Sequence, residues 1–365
     1  MVCISHIVDG NVNLMWNKIG CFSDIHFGEH GNSEQHNLQC LDFIDWFIEQ
    51  SADCDVLLFG GDWHHHRTNV GAGTLMYSYE GVRRLAATGK EIWFIIGNHD
   101  LPDYDRRANH SVPWVHSFKN IRVIDTPQTV GNFLLVPWLT MGDDLDKLKK
   151  SPADYAFGHF EFGGFVMNEA YNMPFRTDHL QADDLQKFAY VFAGHFHKRQ
   201  SRKLKSGTIV DYIGNPFPHS FSDVGDRDRG MMVLTNGGKP EYRNWPAMPT
   251  FDRILASKID EALPLLSKRS TVEVILDIEM GPTERDKLRQ YLSEEVGVHS
   301  AAITPLKLDV TTIDVTALAA SLGGNESVCE VVTTFLGEIV PVPGSDAFGL
   351  DPVRLQTIFN GAQVL

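Results

Sequence analysis

The sequence predicts an α/β fold in which several strands end at a common site. Short apolar runs of strand length alternate with segments of helical length along most of the 365 residues. Five of the apolar runs end abruptly and are followed at once by polar side chains able to bind metal. In layered α/β proteins, ligands bind beyond the carboxyl ends of strands, where loops from several strands converge. We therefore expect side chains that are distant in sequence to share one cleft.

The predicted elements of the first two thirds of the chain follow from the spacing of apolar residues. Strands are predicted at 18–23, 56–59, 92–96, 123–124, 133–136, 155–157, 190–193, 208–213 and 231–234. Helices are predicted at 34–50 and about 74–87, and Gly89 is typical of a residue that ends a helix. The apolar positions of helix 34–50 spread too far around its axis for a single buried face. This helix is expected either to be buried within the chain or to contact a partner through a second face.

The pattern changes after Pro246. A β-branched strand at 271–279, a helix at 282–295 and a strand at 301–310 predict a small βαβ module. The sequence after these elements indicates helices and loops. The predicted domains are an N-terminal extension (1–17), a main domain (18–250), a capping domain (251–312) and a helical tail (313–365).

Composition narrows the class of protein. The 43% hydrophobic and 22% charged residues are typical of a soluble globular chain, and no apolar stretch is long enough for a membrane span. The N-terminus lacks the features of a signal peptide, and the five cysteines lack CxxC spacing, which favours a reducing interior such as the cytoplasm. The net charge of −15 does not favour nucleic-acid binding, but bound cations would reverse the field locally.

The polar residues at the five strand ends are of restricted chemical types. They are Asp24, His26, Asp62, Asn98, His99, Asp100, His159, His195 and His197. Carboxylate, imidazole and amide oxygen, without thiolate, suit Mn²⁺, Fe²⁺ or Zn²⁺. Two such ions can clamp the attacking and leaving oxygens of a phosphoryl displacement. A capping aspartate or a histidine bonded to backbone would explain any one pair, but not the whole ordered set.

The ordered motifs resemble those of the calcineurin-like metallophosphoesterases. The motifs are Asp24-x-His26, Gly61-Asp62, Gly97-Asn98-His99-Asp100, Gly158-His159 and Gly194-His195-Phe196-His197. Within this family the chain is most similar to the SbcD-type nuclease subunit of the DNA double-strand-break repair complex and its phage recombination-exonuclease relatives. The resemblance implies a layered α/β/β/α sandwich with a small βαβ capping domain and a helical C-terminal tail.

The resemblance also implies a role for each motif residue. One metal would be held by Asp24, His26, Asp62 and His197, and the other by Asp62, Asn98, His159 and His195. His99 matches the family's catalytic histidine, and Asp100 would orient it. His65 lies where the nuclease branch often has a histidine associated with exonucleolytic cleavage. Gly97 is expected to permit a tight turn, and the segment Gly214-Asn215-Pro216 departs from the branch's commoner form and receives no catalytic role.

The function implied by the resemblance is a two-metal DNA phosphodiesterase, in which a metal-bound hydroxide attacks phosphorus and His99 assists. The expected activities are exonuclease and endonuclease, and the expected cofactors are two divalent ions, with Mn²⁺ favoured over Mg²⁺, Fe²⁺ or Zn²⁺. The expected partners are DNA, a second copy of the chain and an SbcC-type coiled-coil ATPase, for which 313–365 is a candidate docking segment. No membrane is expected, and the location is the cytoplasm, or the host cytoplasm if the chain is phage-encoded. Because no GxxxxGK[ST] loop is present, ATP hydrolysis would come from another subunit.

Alternative interpretations stay open at several points. The chain could be a small-substrate phosphoesterase, such as a phosphatase or cyclic-nucleotide phosphodiesterase, or a non-catalytic scaffold on the same fold. A group of basic residues follows the last motif: Lys198, Arg199, Arg202, Lys203 and Lys205. These side chains could contact phosphates of nucleic acid or form a solvated hairpin.

Overall fold

The computed structural model describes residues 6–8, 11–13, 16–103, 106, 109–140, 143, 145–168, 171–175 and 179–305. The chain divides into two compact units, Met1–Phe251 and Asp252–Leu365. The predicted helical tail, 313–365, lies outside the described residues, as do parts of the extension. No helix in the described part of the chain is long and apolar enough to cross a membrane.

The first unit contains two six-stranded mixed sheets. Across the first sheet, the strands are Pro240–Asn244, Gly230–Thr235, Lys18–Phe22, Val56–Phe59, Glu91–Ile95 and Ile121–Ile124. Across the second sheet, they are Gln200–Lys203, Ile209–Tyr212, Tyr190–Gly194, Tyr155–His159, Phe133–Val136 and Gln128–Val130. The last four strands of the first sheet run parallel to one another, and so do the middle four strands of the second sheet. Their carboxyl ends therefore lie at one edge of each sheet.

Alternating side chains of the strands pack into different layers. In strand Val56–Phe59, Val56 and Leu58 lie in the core that also contains Phe157 and Phe192 of the second sheet. Leu57 and Phe59 of the same strand face the opposite side and pack with residues of the helices. The outer face of the second sheet packs against a third core. The predicted layered α/β/β/α fold is thus confirmed.

The two predicted helices of the first unit begin and end near their predicted positions, and two short helices were not predicted. The described helices are Glu29–Asn32, Glu34–Gln50, Ala72–Ala87 and Leu145–Lys149, and shorter 3₁₀ segments lie at Pro113–Ser117, Ala182–Leu185 and Phe221–Asp223. The Ser33 hydroxyl accepts from the His36 amide and caps the helix Glu34–Gln50. This helix packs on both the first sheet and the helix Ala72–Ala87, which accounts for its broad apolar surface, although Leu38 is 47% exposed.

Several strands were not predicted from the sequence. Gln128–Val130, Gln200–Lys203 and Pro240–Asn244 are three of the four edge strands of the two sheets. Two further pairs are short hairpins: His6–Val8 with Asn11–Asn13, and Val166–Asn168 with Tyr171–Asn172. The three unpredicted edge strands bury few side chains, so they lack the apolar runs that identify central strands.

The second unit contains the predicted βαβ module. Its strands Ser270–Leu276 and Ser300–Pro305 pair in parallel around the helix Pro282–Glu294. A further strand, Thr250–Leu255, lies beside Ser270–Leu276 in the same sheet. Short helical segments complete the unit: Ala256–Lys258, Ile259–Ala262 and Leu263–Leu265.

Candidate metal centre

The polar residues predicted from the strand ends converge where the two sheets meet. Asp24, His26, Asp62 and Asn98 follow parallel strands of the first sheet, and all four are buried. His159 is the last residue of a strand in the second sheet, and His195 and His197 follow the next strand. The structure therefore brings together the seven predicted metal ligands from both sheets.

One group of ligands, which we call the second position, consists of Asp62, Asn98, His159 and His195. The Asn98 Oδ1 atom lies 2.9 Å from both His159 Nε2 and His195 Nδ1. His159 Nε2 lies 3.3 Å from Asp62 Oδ2. Two atoms each about 2.1 Å from one ion lie roughly 3.0–3.4 Å apart, so this spacing suits ligands of a shared cation.

The other group, which we call the first position, consists of Asp24, His26, Asp62 and His197. His26 Nε2 lies 3.1 Å from His197 Nε2 and 3.7 Å from Asp62 Oδ2. One ligand atom each of Asp24, His26 and Asp62 lie within 4.8 Å of one another. Because Asp62 Oδ2 adjoins both groups, this carboxylate oxygen can bridge two ions.

The backbone at the centre is strained. Four predicted ligands have a positive φ angle: Asp24 (58°), His26 (53°), Asp62 (61°) and His195 (91°). Such conformations of non-glycine residues cost of order 1–3 kcal/mol each and concentrate at functional sites. Backbone hydrogen bonds maintain them, for example from the Asp24 amide to the Gly61 carbonyl at 2.9 Å. This strain is independent evidence that the side chains are held for a purpose other than packing.

Gly97 permits the close approach of Asp62 to its backbone, and it does not form the tight turn that the sequence predicted. A Cβ atom at this position would lie 2.2 Å from Asp62 Oδ1 and 2.3 Å from the Asp62 amide nitrogen. Its φ is not in the positive range. The loop therefore needs glycine because the Asp62 loop packs directly against its backbone.

Burial and charge set the protonation of the ligands. Burial by itself would raise the pKa of Asp62. The nearby imidazoles of His159, His99 and His26 have the larger combined effect and hold the pKa of Asp62 well below its usual range. Burial lowers the pKa of His197 to about 3, which leaves this ring neutral and able to bind metal. Burial also opposes a charge on His159, yet Asp62 raises the pKa of His159 to about 9. A bound cation would take the place of that proton beside Asp62.

His99 lies beside the ligands, and its ring is held by the backbone. Its Nδ1 atom lies 2.6 Å from the His65 carbonyl oxygen, which can only accept a hydrogen bond. This contact places a proton on Nδ1 and leaves Nε2 available for other partners. The His99 amide donates to Asp62 Oδ1 at 2.8 Å, so the histidine loop is joined to the bridging carboxylate.

Asp100 does not act on the His99 ring in the expected way. Its carboxylate accepts from the amides of Gly97, Asp62, Trp63 and His64 at 2.9–3.1 Å. The ring partner of His99 is instead the His65 carbonyl. Asp100 therefore joins the loops that carry Asp62 and His99. Burial, followed by the nearby Asp62 charge, raises the pKa of Asp100 to about 7.

The three consecutive histidines 64–66 have different environments. His64 is fully buried, and its ring contacts the hydroxyls of Ser78 and Ser111, which is a structural role. The half-buried His65 ring lies 5.6 Å from that of His99, and its Nδ1 is 3.8 Å from Glu29 Oε2. The structure thus places His65 beside the centre.

Asn215, in the Gly214-Asn215-Pro216 segment that was given no catalytic role from sequence, supports a predicted ligand together with Asp223 and Arg229. The Asn215 amide donates to the His197 carbonyl at 3.1 Å. The buried Arg229 guanidinium donates to the same carbonyl and to Asn215 Oδ1. Asp223 pairs with Arg229 at 2.9 Å. This network fixes the loop that carries His197.

Sequence reasoning also missed His219, which is 2% exposed. Its ring and those of His26 and His197 each place a nitrogen within 4.8 Å of the others. Its Nδ1 lies 3.0 Å from Glu29 Oε2. No strand-end motif marks this residue, and the 16 histidines of the chain are the sequence feature that could have drawn attention to it.

The basic residues after His197 lie on an edge hairpin, where their environments differ. The Arg199 guanidinium lies 4.3 Å from the Tyr242 ring centroid, and that of Arg202 lies 4.1 Å from the Phe165 ring centroid. These two arginines are engaged in packing within the chain. The lysines are exposed: Lys198, Lys203 and Lys205.

Comparison with known proteins places these motifs in a family. The model of the calcineurin-like phosphoesterases matches residues 17–199, which contain all seven predicted ligands. Exonuclease subunit 1 of Enterobacteria phage T4 is 28% identical over 235 residues, covering 62% of this chain and 67% of that protein.

The chain also aligns with parts of solved structures. A dimetal phosphatase from Danio rerio aligns with 60% of this chain and 92% of its own, at 10% identity and a TM-score of 0.41. The nuclease MPE of Pseudomonas putida aligns with 62% of this chain and 86% of its own, at 16% identity and a TM-score of 0.31.

Proposed function

Because this chain belongs to the calcineurin-like phosphoesterase family, whose members are hydrolases of phosphoester bonds with a two-metal site, we propose that it is a DNA phosphodiesterase. The proposed activities are exonuclease on duplex ends and endonuclease on single strands. Mn²⁺ is the proposed ion at both positions.

The observation that carries the two-metal chemistry is the placement of Asp62. Its Oδ2 atom lies 3.7 Å from His26 Nε2 on one side and 3.3 Å from His159 Nε2 on the other. When bound, two divalent cations would lower the pKa of an attacking water and stabilise charge on the phosphate. The residues of this chain would hold the cations through oxygen and imidazole nitrogen atoms, donor types that suit Mn²⁺, Fe²⁺ or Zn²⁺.

His99 is the proposed proton donor. Its Nδ1 proton is retained by the His65 carbonyl, so a second proton would be carried on Nε2. Transfer of this proton to the departing ribose oxygen would complete the cleavage of the phosphodiester bond. Because the His99 amide bonds to Asp62, the proton donor and the bridging carboxylate keep a constant spacing.

Two observations support DNA as the substrate. The chain is 28% identical over 235 residues to a protein named as an exonuclease subunit. Exposed lysines on the hairpin after His197 could contact phosphates near the first position. The net charge of −15 opposes long-range attraction of DNA, so bound cations and local lysines would have to supply the attraction.

The proposed partners are a second copy of this chain and a coiled-coil ATPase subunit. The helices Glu34–Gln50 and Ala72–Ala87 expose Leu38, Leu75 and Met76, which could pair two copies. Because the sequence has no phosphate-binding GxxxxGK[ST] loop, a separate subunit would hydrolyse ATP. The 313–365 segment remains the proposed docking site, and 18–250 and 251–312 the proposed nuclease and capping domains.

The test is to incubate the purified protein with Mn²⁺ and end-labelled duplex DNA, single-stranded DNA or a generic phosphodiester. The expected result is metal-dependent cleavage of both DNA substrates that EDTA abolishes. Turnover of the small phosphodiester alone would make the chain a small-substrate phosphoesterase. Absence of turnover by protein loaded with two ions would favour a non-catalytic scaffold.

A further inference from the structure

A buried pair, Glu29 and His219, adjoins the first metal position. His219 Nδ1 lies 3.0 Å from Glu29 Oε2, and a nitrogen of its ring is within 4.8 Å of ring nitrogens of His26 and His197. Both ring nitrogens of His219 and the Oε2 atom of Glu29 are buried and make no hydrogen bond among the described residues, so the 3.0 Å contact between His219 and Glu29 is a close approach at ion-pair distance. A buried polar nitrogen without a partner is costly, and a ligand at that atom would remove the cost.

We propose that His219 is a further ligand of the cation at the first position and that Glu29 is its positioning residue. A carboxylate can only accept a hydrogen bond, so the nearby Glu29 carboxylate favours the tautomer of His219 that carries its proton on Nδ1. The lone pair of Nε2 is then free for a metal. Histidines that bind metal commonly donate their second N–H to a carboxylate in this way. The inference rests on the two-metal centre of the proposed function.

The additional imidazole would make the two positions chemically unequal. The first position would have three imidazoles, from His26, His197 and His219, together with two carboxylates. The second has two imidazoles, one carboxylate and the amide oxygen of Asn98. Imidazole-rich sites favour Zn²⁺ and Fe²⁺, whereas oxygen-rich sites suit Mg²⁺ and Mn²⁺. We therefore expect the first position to discriminate more strongly against Mg²⁺.

The backbone around His219 keeps the ring in place. The His219 amide donates to Asp223 Oδ2 at 2.9 Å, and Asp223 pairs with the Arg229 that holds the His197 carbonyl. The two histidines are thus fixed by one network although they are far apart in sequence. Because one network fixes both His197 and His219, the two rings are better explained as ligands of the same ion than as buried side chains with unrelated roles.

The same ring could instead belong to a separate site. One ligand atom each of Glu29, His36 and His219 also lie within 4.8 Å of one another. However, His36 Nε2 lies 3.0 Å from the His26 carbonyl oxygen and is engaged there. A separate site would bind a third ion, whereas our proposal requires only two.

The experiment uses metal-free full-length protein titrated with Co²⁺ alone, without DNA. Bound ions are counted by elemental analysis, and visible absorption reports the coordination of Co²⁺. In His219→Gln, we expect two ions, an altered spectrum and an affinity at least about 100-fold weaker at one position, because a direct ligand contributes at least as much as a residue that only orients one. Glu29→Gln should weaken the same position by about 10-fold. The matched control is His110→Gln, a buried histidine outside the ligand set, which should behave like the wild type.

Several results would overturn the inference. A folded His219→Gln protein with unchanged affinity and spectrum would exclude His219 as a ligand. A third Co²⁺ ion that is lost in His36→Gln would assign the ring to the separate site. If His219→Gln does not fold by near-ultraviolet circular dichroism, Glu29→Gln provides the same readout, and an unchanged affinity there contradicts the proposal. Failure to cleave DNA would refute the proposed substrate without affecting these metal measurements.

Discussion

The two proposed metal positions differ in how closely their candidate ligand atoms approach one another. At the second, Asn98 Oδ1 lies 2.9 Å from two imidazoles, so its ligands touch one another directly. At the first, His26 Nε2 is 3.1 Å from His197 Nε2 but 3.7 Å from Asp62 Oδ2. The rings of His99, His65 and His219 lie within 4.9–5.6 Å of the His26 ring.

This difference suggests that the two positions have different roles in catalysis. The compact second position suits an ion that stays in place, because its ligands need no adjustment to share it. The first position is bordered by further polar side chains, which suits contact with substrate. Asp62 lies beside both groups of predicted ligands. Substitutions can therefore test a property that the two positions share separately from the properties in which they differ.

The largest effect is expected from Asp62→Ala, because Asp62 belongs to both positions. The variant should fail to bind either ion, and hydrolysis of a generic phosphodiester should fall by at least about 1,000-fold. Elemental analysis and initial rates would measure the two losses, with the exposed Asp183→Ala as a control. Retention of two ions would contradict the bridging role.

His99→Ala should separate proton transfer from metal binding. The ring is not among the ligands of either position, and its backbone amide bond to Asp62 survives the substitution. We expect both ions to remain while turnover falls about 10²–10⁴-fold. The exposed His116→Ala is the matched control. Loss of an ion would make His99 a ligand, and unchanged turnover would refute its proposed role.

A pair of variants compares the two positions directly. His26→Ala should lose the first ion and His195→Ala the second, because each variant lacks a direct ligand of its own position. Competition between Zn²⁺ and Mg²⁺ for the remaining ion is the sharper measurement. The ion remaining in His195→Ala should show the stronger preference for Zn²⁺. Equal preference in both variants would mean that the two positions are chemically alike.

Much of this centre could be predicted from the sequence because its ligands follow apolar strands. A run such as Ile92–Ile96 identifies a buried strand, and the polar residues after it mark a strand end. The convergence of strand ends then brings distant residues together. The assignment of each ligand to one of two metals came from the family resemblance and stays a prediction.

The features that were missed depend on contacts that the sequence does not encode locally. His219 approaches the first position because Asp223 and Arg229 fix the path of a loop, which has no regular pattern. The role of Asp100 was misjudged because an adjacent carboxylate and imidazole need not face each other. The left-handed backbone at Asp24 and Asp62 is likewise set by bonds between loops.

The smallest effect is expected from Lys203→Ala on the hairpin that follows the first position. If this exposed lysine contacts a DNA phosphate, affinity should fall only a few-fold. The slope of log affinity against log salt should become shallower by about 0.7–0.9, the value for one phosphate contact. Fluorescence anisotropy with labelled DNA would measure both, using a protein loaded with Ca²⁺ to prevent cleavage. The exposed Lys239→Ala is the matched control. An unchanged slope would show that Lys203 does not contact a DNA phosphate and belongs to a solvated hairpin.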